Sequence, residues 1–345
     1  MSEGHVTRDG VQGERPDREA TVGVNTGRRG GRRRSRGEQP MVPDASFSSY
    51  YGRPVINAPI WAAPDIPGYL FAGGLAGAAS VLAAGADLTG RKRLARASKV
   101  GALGAIGVGL LGLVHDLGRP TRFLNMLRVF KPTSPMSLGS WLLAAYGPAA
   151  AVSAGTAVTG LFPRTGRLAT GSAAAMGPLV ASYTAALISD TAVPAWHDGY
   201  REMPFVFVGS AATAAAGLGM LTAPVEEAGP ARRLAVLGAA LELGASTQMQ
   251  RRIGELAEPY SNGKSGLMMH AAEVLTLAGS VGGVFFGRRS RPAAAASGLA
   301  LLAASVLTRF GIFEAGIASA HDPTHTVGPQ RARLDRGAPA RARQT

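Results

Sequence analysis

Long apolar segments alternate with short polar loops through most of this sequence. The eight apolar runs fall at about 66–86, 100–115, 138–161, 170–189, 204–222, 231–249, 267–287 and 293–313. A bilayer core about 30 Å thick needs roughly 20 helical residues, so most of the runs are long enough to cross it. The second and sixth runs are short, and we expect them to be tilted, re-entrant or extended by flanking polar residues. The pattern predicts a polytopic membrane protein with eight transmembrane helices.

Polar, arginine-rich segments flank this apolar region. Residues 1–45 include the run GRRGGRRRSRGE, and no apolar segment follows it closely enough to form an export signal. We therefore expect a disordered basic tail there. The segment Ser46–Pro67 combines aromatic residues with four prolines, which favours an extended strap at the membrane interface. These features predict a transmembrane domain over 46–320 and a polar C-terminal tail over 321–345.

The composition excludes several kinds of site. The chain has no cysteine, which excludes disulfides, thiolate catalysis and any iron–sulfur cluster held by this chain itself. Of its six histidines, only His115 and His270 lie in or against an apolar run, too few to ligate two transmembrane haems, so we expect no haem. No zinc-type spacing occurs, and we expect no metal site. The net charge of +14 lies mostly in the tails and short loops, so nucleic acid is not an expected partner.

One polar stretch stands out between the second and third runs. His115–Ser140 reads HDLGRPTRFLNMLRVFKPTSPMSLGS, with a His-Asp pair, four cations and three prolines. Such a density of polar groups at the end of a span seldom serves packing alone. Its segments DLGRP (116–120), RF (122–123) and PTSPMS (132–137) resemble the signature loop of the NrfD/polysulfide reductase membrane-subunit family. The resemblance extends over about residues 50–320, and it implies an all-α fold of two four-helix bundles.

The resemblance also implies a function. Members of that family are integral membrane subunits that exchange electrons between the quinone pool and an iron–sulfur partner. We therefore expect a quinone-interacting anchor of the cytoplasmic membrane, without full catalytic activity of its own, that uses menaquinone or ubiquinone as substrate. The implied partners are a ferredoxin-like 4Fe–4S subunit, a molybdopterin-type catalytic subunit and the lipid bilayer. The alternatives are a proton-coupled transporter or channel without redox chemistry, and an anchor whose quinone pocket is inactive.

Quinone chemistry moves protons as well as electrons, so it needs ionisable groups near a helix end and a hydrogen-bond partner at each carbonyl. By resemblance, the acid of the signature loop lies near the quinone pocket, and a tyrosine of the fourth run supplies a phenol to a quinone carbonyl. The predicted quinone-binding residues are His115, Asp116, Arg119, Tyr183 and Asp65.

Two of these residues also have a purely structural interpretation. Asp116 would pair with Arg119 or Arg122 to lock a tight turn. Tyr183 would donate a hydrogen bond to a carbonyl of a neighbouring helix. Because the loops that hold Asp116 and His197 both follow even-numbered runs, we expect them on the same membrane face.

Two further sets of residues complete the predictions. Carboxylates are costly in hydrocarbon, so Glu242 and Glu273, with His270 beside Glu273, predict either a proton path or protonated groups that hydrogen-bond across helices. Cations after the second run predict a docking surface for the iron–sulfur subunit or, equally, contacts with lipid headgroups. The predicted docking residues are Arg122, Arg128, Lys131 and His197.

Overall fold

The computed structural model describes residues 5–7, 10–12, 55–56, 59, 61, 63–117 and 121–329. The chain divides into two units, Met1–Pro59 with Ala318–Thr345, and Ile60–Ile317. In the first unit, strands β1 (His5–Thr7) and β2 (Gly10–Gln12) pair antiparallel. The rest of the predicted basic tail, most of the predicted strap and the residues beyond 329 lie outside the described part of the chain.

Beyond this hairpin the described chain is almost entirely helical. The helices are α1 (Asp65–Leu88), α2 (Lys92–Asp116), α3 (Arg122–Met126), α4 (Pro135–Thr159), α5 (Pro163–Ser189), α6 (Pro194–Asp198), α7 (Met203–Thr222), α8 (Gly229–Ile253), α9 (Glu258–Ser261), α10 (Gly263–Phe285) and α11 (Arg291–His321). Local sequence explains many of the boundaries. At the start of α4, for example, the Ser134 side chain accepts a hydrogen bond from the backbone N–H of Ser137. The helix ends at Thr159 and is followed by Gly160, whose φ of 76° favours glycine.

All eight predicted apolar runs are helical, and seven of the resulting helices are long and apolar enough to cross a membrane. These seven are α1, α2, α4, α5, α7, α10 and α11. The eighth run forms α8, which has the same length as α2 but is less apolar. Its ends carry Arg232 and Arg252, and Glu242 lies near its middle. The prediction of an all-α polytopic membrane protein is confirmed. Among the described residues, seven helices rather than the predicted eight are long and apolar enough to cross a membrane.

The first four long helices form one bundle. Helix α1 contacts α2 and α5, and α4 contacts α2 and α5. The α1–α5 crossing depends on glycine, because a Cβ built on Gly77 would overlap the carbonyl of Gly177. The phenol of Tyr146 on α4 donates a hydrogen bond to the Ala76 carbonyl of α1 at 2.6 Å. Small residues and internal hydrogen bonds therefore hold this bundle together where lipid would surround it.

The last four long helices form a second bundle beside the first. Helix α8 packs on α7 and α10, and α7 also contacts α1 and α5 of the first bundle. Glycines again permit the close approaches, since a Cβ on Gly209 of α7 would overlap the backbone of α8 at Glu242, and one on Gly217 would approach the Gly298 carbonyl of α11 at 2.6 Å. The predicted pair of four-helix bundles is confirmed.

The alternating direction of the helices places their ends at two rims. We call the rim where α1, α4, α7 and α10 begin and where α2, α5, α8 and α11 end the Asp65 rim. Contacts between helix ends establish this arrangement: His115 with Asp65, Arg252 with Glu202, and Lys264 with Glu314. The short helices α3, α6 and α9 also lie at the Asp65 rim. The loops that follow α2 and α5 are therefore on one side of the protein, as predicted.

Candidate functional site

The acid that begins α1 and the histidine near the end of α2 meet at the Asp65 rim. Because the two helices are antiparallel, the start of one lies beside the end of the other. Nδ1 of His115 is 2.7 Å from Oδ2 of Asp65. The Asp65 side chain is only 21% exposed, whereas the His115 side chain is 80% exposed. The pair therefore joins a sheltered carboxylate to an imidazole that is open to the surroundings.

A groove of about 650 Å³ runs from this pair along α1 and α2. Besides the pair, it is lined by Pro64, Gly68, Tyr69, Val108, Leu111, Gly112 and Val114. The polar pair lies at the rim, and the lining deeper along α2 is apolar. Val108 and Leu111 are 64% and 72% exposed, so the groove opens sideways toward the position of the lipid. Its volume falls within the usual range of small-molecule pockets, about 300–1,000 Å³.

The other predicted quinone residues do not line this groove. Tyr183 packs instead against the start of α4, where a Cβ built on Gly139 would overlap its ring. Asp116 is half-buried and makes no hydrogen bond or ion pair among the described residues, so its alternative pairing with Arg122 is not formed there. Arg119 lies outside the described residues. Of the predicted set, the groove thus contains only the acid–histidine pair.

Two tryptophans connect the segment before α1 to the second bundle. Trp61 stacks on Trp196 of α6, with ring centroids 5.9 Å apart. Trp196 is fully buried, and its indole N–H donates a hydrogen bond to the Ile312 carbonyl of α11 at 2.7 Å. The sequence showed Trp61 only as an interfacial aromatic residue. Its buried partner holds the chain just before Asp65 in place, which positions the start of α1.

The predicted docking cations differ in their surroundings. Arg122, Arg128 and Lys131 are exposed in the segment that follows α2, and their charged groups make no ion pair within the described chain. His197 is exposed as well, but its Nδ1 lies 3.2 Å from the Ser189 carbonyl at the end of α5. The three long cations are therefore available to a partner at the Asp65 rim, whereas His197 is tied to its own fold.

An ion pair that the sequence did not indicate joins α7 and α8 at the same rim. Arg252 donates hydrogen bonds from Nε and Nη2 to the two carboxylate oxygens of Glu202, each at 2.7 Å. The same guanidinium also contacts the Asp198 carbonyl. The hydrogen bonds from Arg252 lower the pKa of Glu202 below its usual range. The two residues are 50 positions apart, and no local pattern in the sequence connects them.

Glu242 is buried in the interior of the second bundle. The Thr308 hydroxyl of α11 donates a hydrogen bond to its Oε1 at 2.8 Å. The Thr213 hydroxyl of α7 donates to its Oε2 at 3.4 Å. The carboxyl group therefore links three helices at a depth where an unpaired acid would be costly.

Arg309 is the main polar residue that sequence reasoning missed. Its side chain is completely buried, its Nη2 donates a hydrogen bond to the Phe207 carbonyl at 2.8 Å, and its guanidinium carbon lies 4.0 Å from the centroid of the Phe207 ring. Its Nε and Nη1 have no hydrogen-bond partner within the described chain. It is close enough to interact electrostatically with Glu242. The available signal was a lone arginine inside the last apolar run.

The two remaining residues of the predicted proton path lie elsewhere. Nδ1 of His270 is 3.7 Å from Oε2 of Glu273, one turn apart on α10. Their side chains are 65% and 39% exposed, so the pair lies on the outer surface of the helix. Glu242 is enclosed between α7, α8 and α11. The structure does not bring the three predicted residues together.

A comparison with protein families gives one match. The family model described as polysulphide reductase, NrfD, matches residues 55–233. The match covers slightly more than half of the chain, and it includes the groove, the predicted signature loop and the first bundle. No curated protein matches the chain.

Proposed function

Because this chain belongs to the NrfD, polysulphide reductase, family of membrane subunits of multi-subunit oxidoreductases, we propose that it binds quinone in the groove between α1 and α2. The observation that carries the proposal is the contact between Asp65 and His115 at the rim end of that groove. The subunit would exchange electrons between the quinone pool of the cytoplasmic membrane and an iron–sulfur subunit.

The shape and chemistry of the groove suit a lipid-soluble quinone. Its exposed apolar wall at Val108 and Leu111 offers a surface for an isoprenoid tail and a lateral entry from lipid. Asp65 and His115 would hydrogen-bond the head group of menaquinone or ubiquinone. Oxidation of a quinol releases two electrons and two protons, and an imidazole–carboxylate pair open to the rim can accept a proton from the hydroxyl and pass it to water. Reduction uses the same groups in the opposite direction.

The position of the groove also suits electron transfer to a partner. Arg122, Arg128 and Lys131 follow α2 at the same rim and are exposed. We propose that they dock a ferredoxin-like 4Fe–4S subunit, which would pass electrons to or from a molybdopterin-type catalytic subunit. Asp116 and Tyr183 belong to the competing position of the quinone, since neither lines the groove.

A second candidate function is a proton-coupled transporter or channel without redox chemistry. The observation that favours it is the enclosure of Glu242 beside Arg309 in the second bundle, because buried ionisable groups commonly mark proton routes. In the redox proposal Glu242 would serve as an internal proton acceptor. The outward-facing pair of His270 and Glu273 has no described contact with Glu242. A proton path that joins all three residues is therefore a separate proposal.

The test uses the assembled complex and titrates it with a fluorescent quinol-site inhibitor such as 2-heptyl-4-hydroxyquinoline N-oxide. Asp65→Asn and His115→Gln should each weaken binding roughly 10- to 100-fold, since each removes a charge-assisted hydrogen bond of about 1.5–3 kcal/mol. Asp190→Asn, at an exposed acid on the same rim outside the groove, is the matched control and should bind as the unchanged protein does.

Two results would count against the proposal. Unchanged inhibitor binding in both groove variants, with electron transfer to the iron–sulfur subunit intact, would show that the quinone does not bind in this groove. If no inhibitor binds and no iron–sulfur subunit co-purifies, while Glu242→Gln abolishes proton flux in vesicles, the transporter would be the better description.

A further inference from the structure

A second cleft lies at the rim opposite Asp65. It has a volume of about 710 Å³ and is formed by the start of α2, the end of α7 with the loop that follows, and the start of α11. Its lining includes the side chains of Arg93, Arg96, Arg291, Glu226, Val100 and Val225. Three guanidinium groups against a single carboxylate make this cleft positively charged. None of these residues takes part in the quinone proposal.

One of the three arginines is already used by the fold. Nη1 of Arg291 donates hydrogen bonds to the carbonyls of Met220 and Ala223, at 2.6 and 2.9 Å, and Nη2 contacts the Leu221 carbonyl. These are the carbonyls that the end of α7 leaves without helical partners. Arg291 therefore caps α7 and adds charge to the cleft, but its donors are largely occupied.

The other two arginines are available to a ligand. Arg93 and Arg96 are exposed, and their guanidinium groups make no hydrogen bond or ion pair within the described chain. They are three positions apart on α2, so they project from the same side of the helix. The nearby acid Glu227 forms no described ion pair with either guanidinium, since its Oε2 accepts hydrogen bonds from the backbone N–H groups of Arg93 and Leu94 at 2.8 and 3.1 Å. Its charge reduces the positive potential near the pair but leaves the guanidinium donors unoccupied.

An apolar surface leads from this arginine pair into the membrane. Val100 lies one turn beyond Arg96 and is 44% exposed. Leu103 follows Val100 on the same face of α2 at helical spacing and is 36% exposed. The order of groups along the helix is therefore a pair of cations at the rim followed by an apolar strip.

We propose that this cleft binds an anionic phospholipid, with the phosphodiester between Arg93 and Arg96 and an acyl chain along Val100 and Leu103. A phospholipid presents phosphate and hydrocarbon in the same order as α2 presents its arginines and apolar strip. Basic pockets between transmembrane helices are a usual setting for anionic headgroups. A zwitterionic lipid fits less well, because its choline would meet more guanidinium than carboxylate groups in the cleft.

The experiment measures lipid binding to the full chain in detergent by native mass spectrometry. Phosphatidylglycerol, cardiolipin and phosphatidylcholine are titrated separately, and the anionic lipids should bind with clear preference. The double variant Arg93→Gln/Arg96→Gln should lose roughly thirtyfold in affinity for the anionic lipids. Each cation near the membrane surface contributes about 1 kcal/mol, which is about fivefold in affinity, and the variant removes two. The charge-retaining variant Arg93→Lys/Arg96→Lys should recover a large part of that loss.

A matched control comes from the same rim. Arg164 and Arg167 at the start of α5 are exposed, have the same spacing and lie outside the cleft. Arg164→Gln/Arg167→Gln removes the same charge and should retain anionic lipid binding. An equal loss in both double variants would mean a general charge effect and would overturn the proposal.

A final arm separates a lipid from a soluble anion. An excess of inorganic phosphate should not displace bound phosphatidylglycerol, because phosphate lacks the acyl chain whose apolar surface the strip on α2 would bury. Displacement by phosphate, or equal affinity for phosphatidylcholine, would overturn the assignment. Unchanged thermal unfolding of the glutamine variant in detergent shows that the loss is one of binding and not of folding.

Discussion

Nδ1 of His115 and Oδ2 of Asp65 lie 2.7 Å apart, although the two residues are 50 positions apart in the chain. The antiparallel packing of α1 and α2 creates the contact, because it brings the first residue of one helix beside the last turn of the other. The contact closes the rim end of a groove whose other walls are mainly apolar. This relationship determines where the proposed quinone chemistry can occur.

The groove predicts a ranking among the candidate quinone residues. Tyr183→Phe should change quinol-analogue affinity by no more than about twofold, since Tyr183 does not line the groove and substitutions away from a site usually cost within about 0.5 kcal/mol. Asp116→Asn, beside His115 but outside the lining, should weaken affinity less than His115→Gln does. Inhibitor titration of the assembled complex measures the change. A loss in Tyr183→Phe as large as that of Asp65→Asn would instead place the quinone between α4 and α5.

Gly139 should be essential for the packing of Tyr183. A Cβ at this position would overlap the tyrosine ring, so Gly139→Ala should lower stability by about 1–3 kcal/mol through overpacking. Thermal unfolding in detergent measures the effect. Gly147→Ala on the same helix is the control, because no atom lies within 4 Å of a Cβ there, and it should be neutral or slightly stabilising. Equal behaviour of the two variants would contradict the packing.

The Glu202–Arg252 pair should stabilise the Asp65 rim in a pH-dependent way. Because the hydrogen bonds from Arg252 lower the pKa of Glu202, the folded state favours the ionised carboxylate. The stabilisation is present above the unfolded pKa of about 4.3 and is lost as the pH falls through the lower folded pKa. Glu202→Gln should therefore cost about 1 kcal/mol at neutral pH, and the cost should shrink below about pH 4.

The free energy of unfolding of the Glu202→Gln variant and of the unchanged protein, measured across a range of pH, tests this expectation. Glu255→Gln, at an exposed acid of the same rim without a described ion pair, serves as the control and should follow the unchanged protein at every pH. A destabilisation by Glu202→Gln that persists unchanged into acid would show that the carboxylate charge is not its cause.

Glu242 and Arg309 should be energetically coupled. The two groups carry opposite charges inside one bundle without a described ion pair, so each replacement leaves the other with less compensation, and Glu242→Gln and Arg309→Met should each cost about 1–3 kcal/mol. The double variant should cost clearly less than the sum, because it removes both charges together. The free energies of unfolding of the two single variants and the double variant, measured in detergent, form a double-mutant cycle with the unchanged protein. Strict additivity would mean that the two side chains do not interact.

The sequence alone determined where the helices lie and which family the chain resembles. Each apolar run is helical, and the polar loop after His115 carries the segments that the family match covers. These features could be predicted because hydrophobicity, helix-breaking residues and loop motifs are local properties. The prediction that α8 is apolar enough to span is the exception, since Arg232, Glu242 and Arg252 lower its hydropathy below that of the other seven.

Only the tertiary structure decided which polar groups meet. It paired Asp65 with His115 and turned Tyr183 toward Gly139. It also enclosed Glu242 and left the pair of His270 and Glu273 on the outer surface. Helices built largely from alanine, glycine and leucine show little difference between their faces, so their rotation cannot be read from periodicity. That rotation is determined by close backbone approaches between helices far apart in sequence, and it decides whether a polar side chain faces another helix or the lipid.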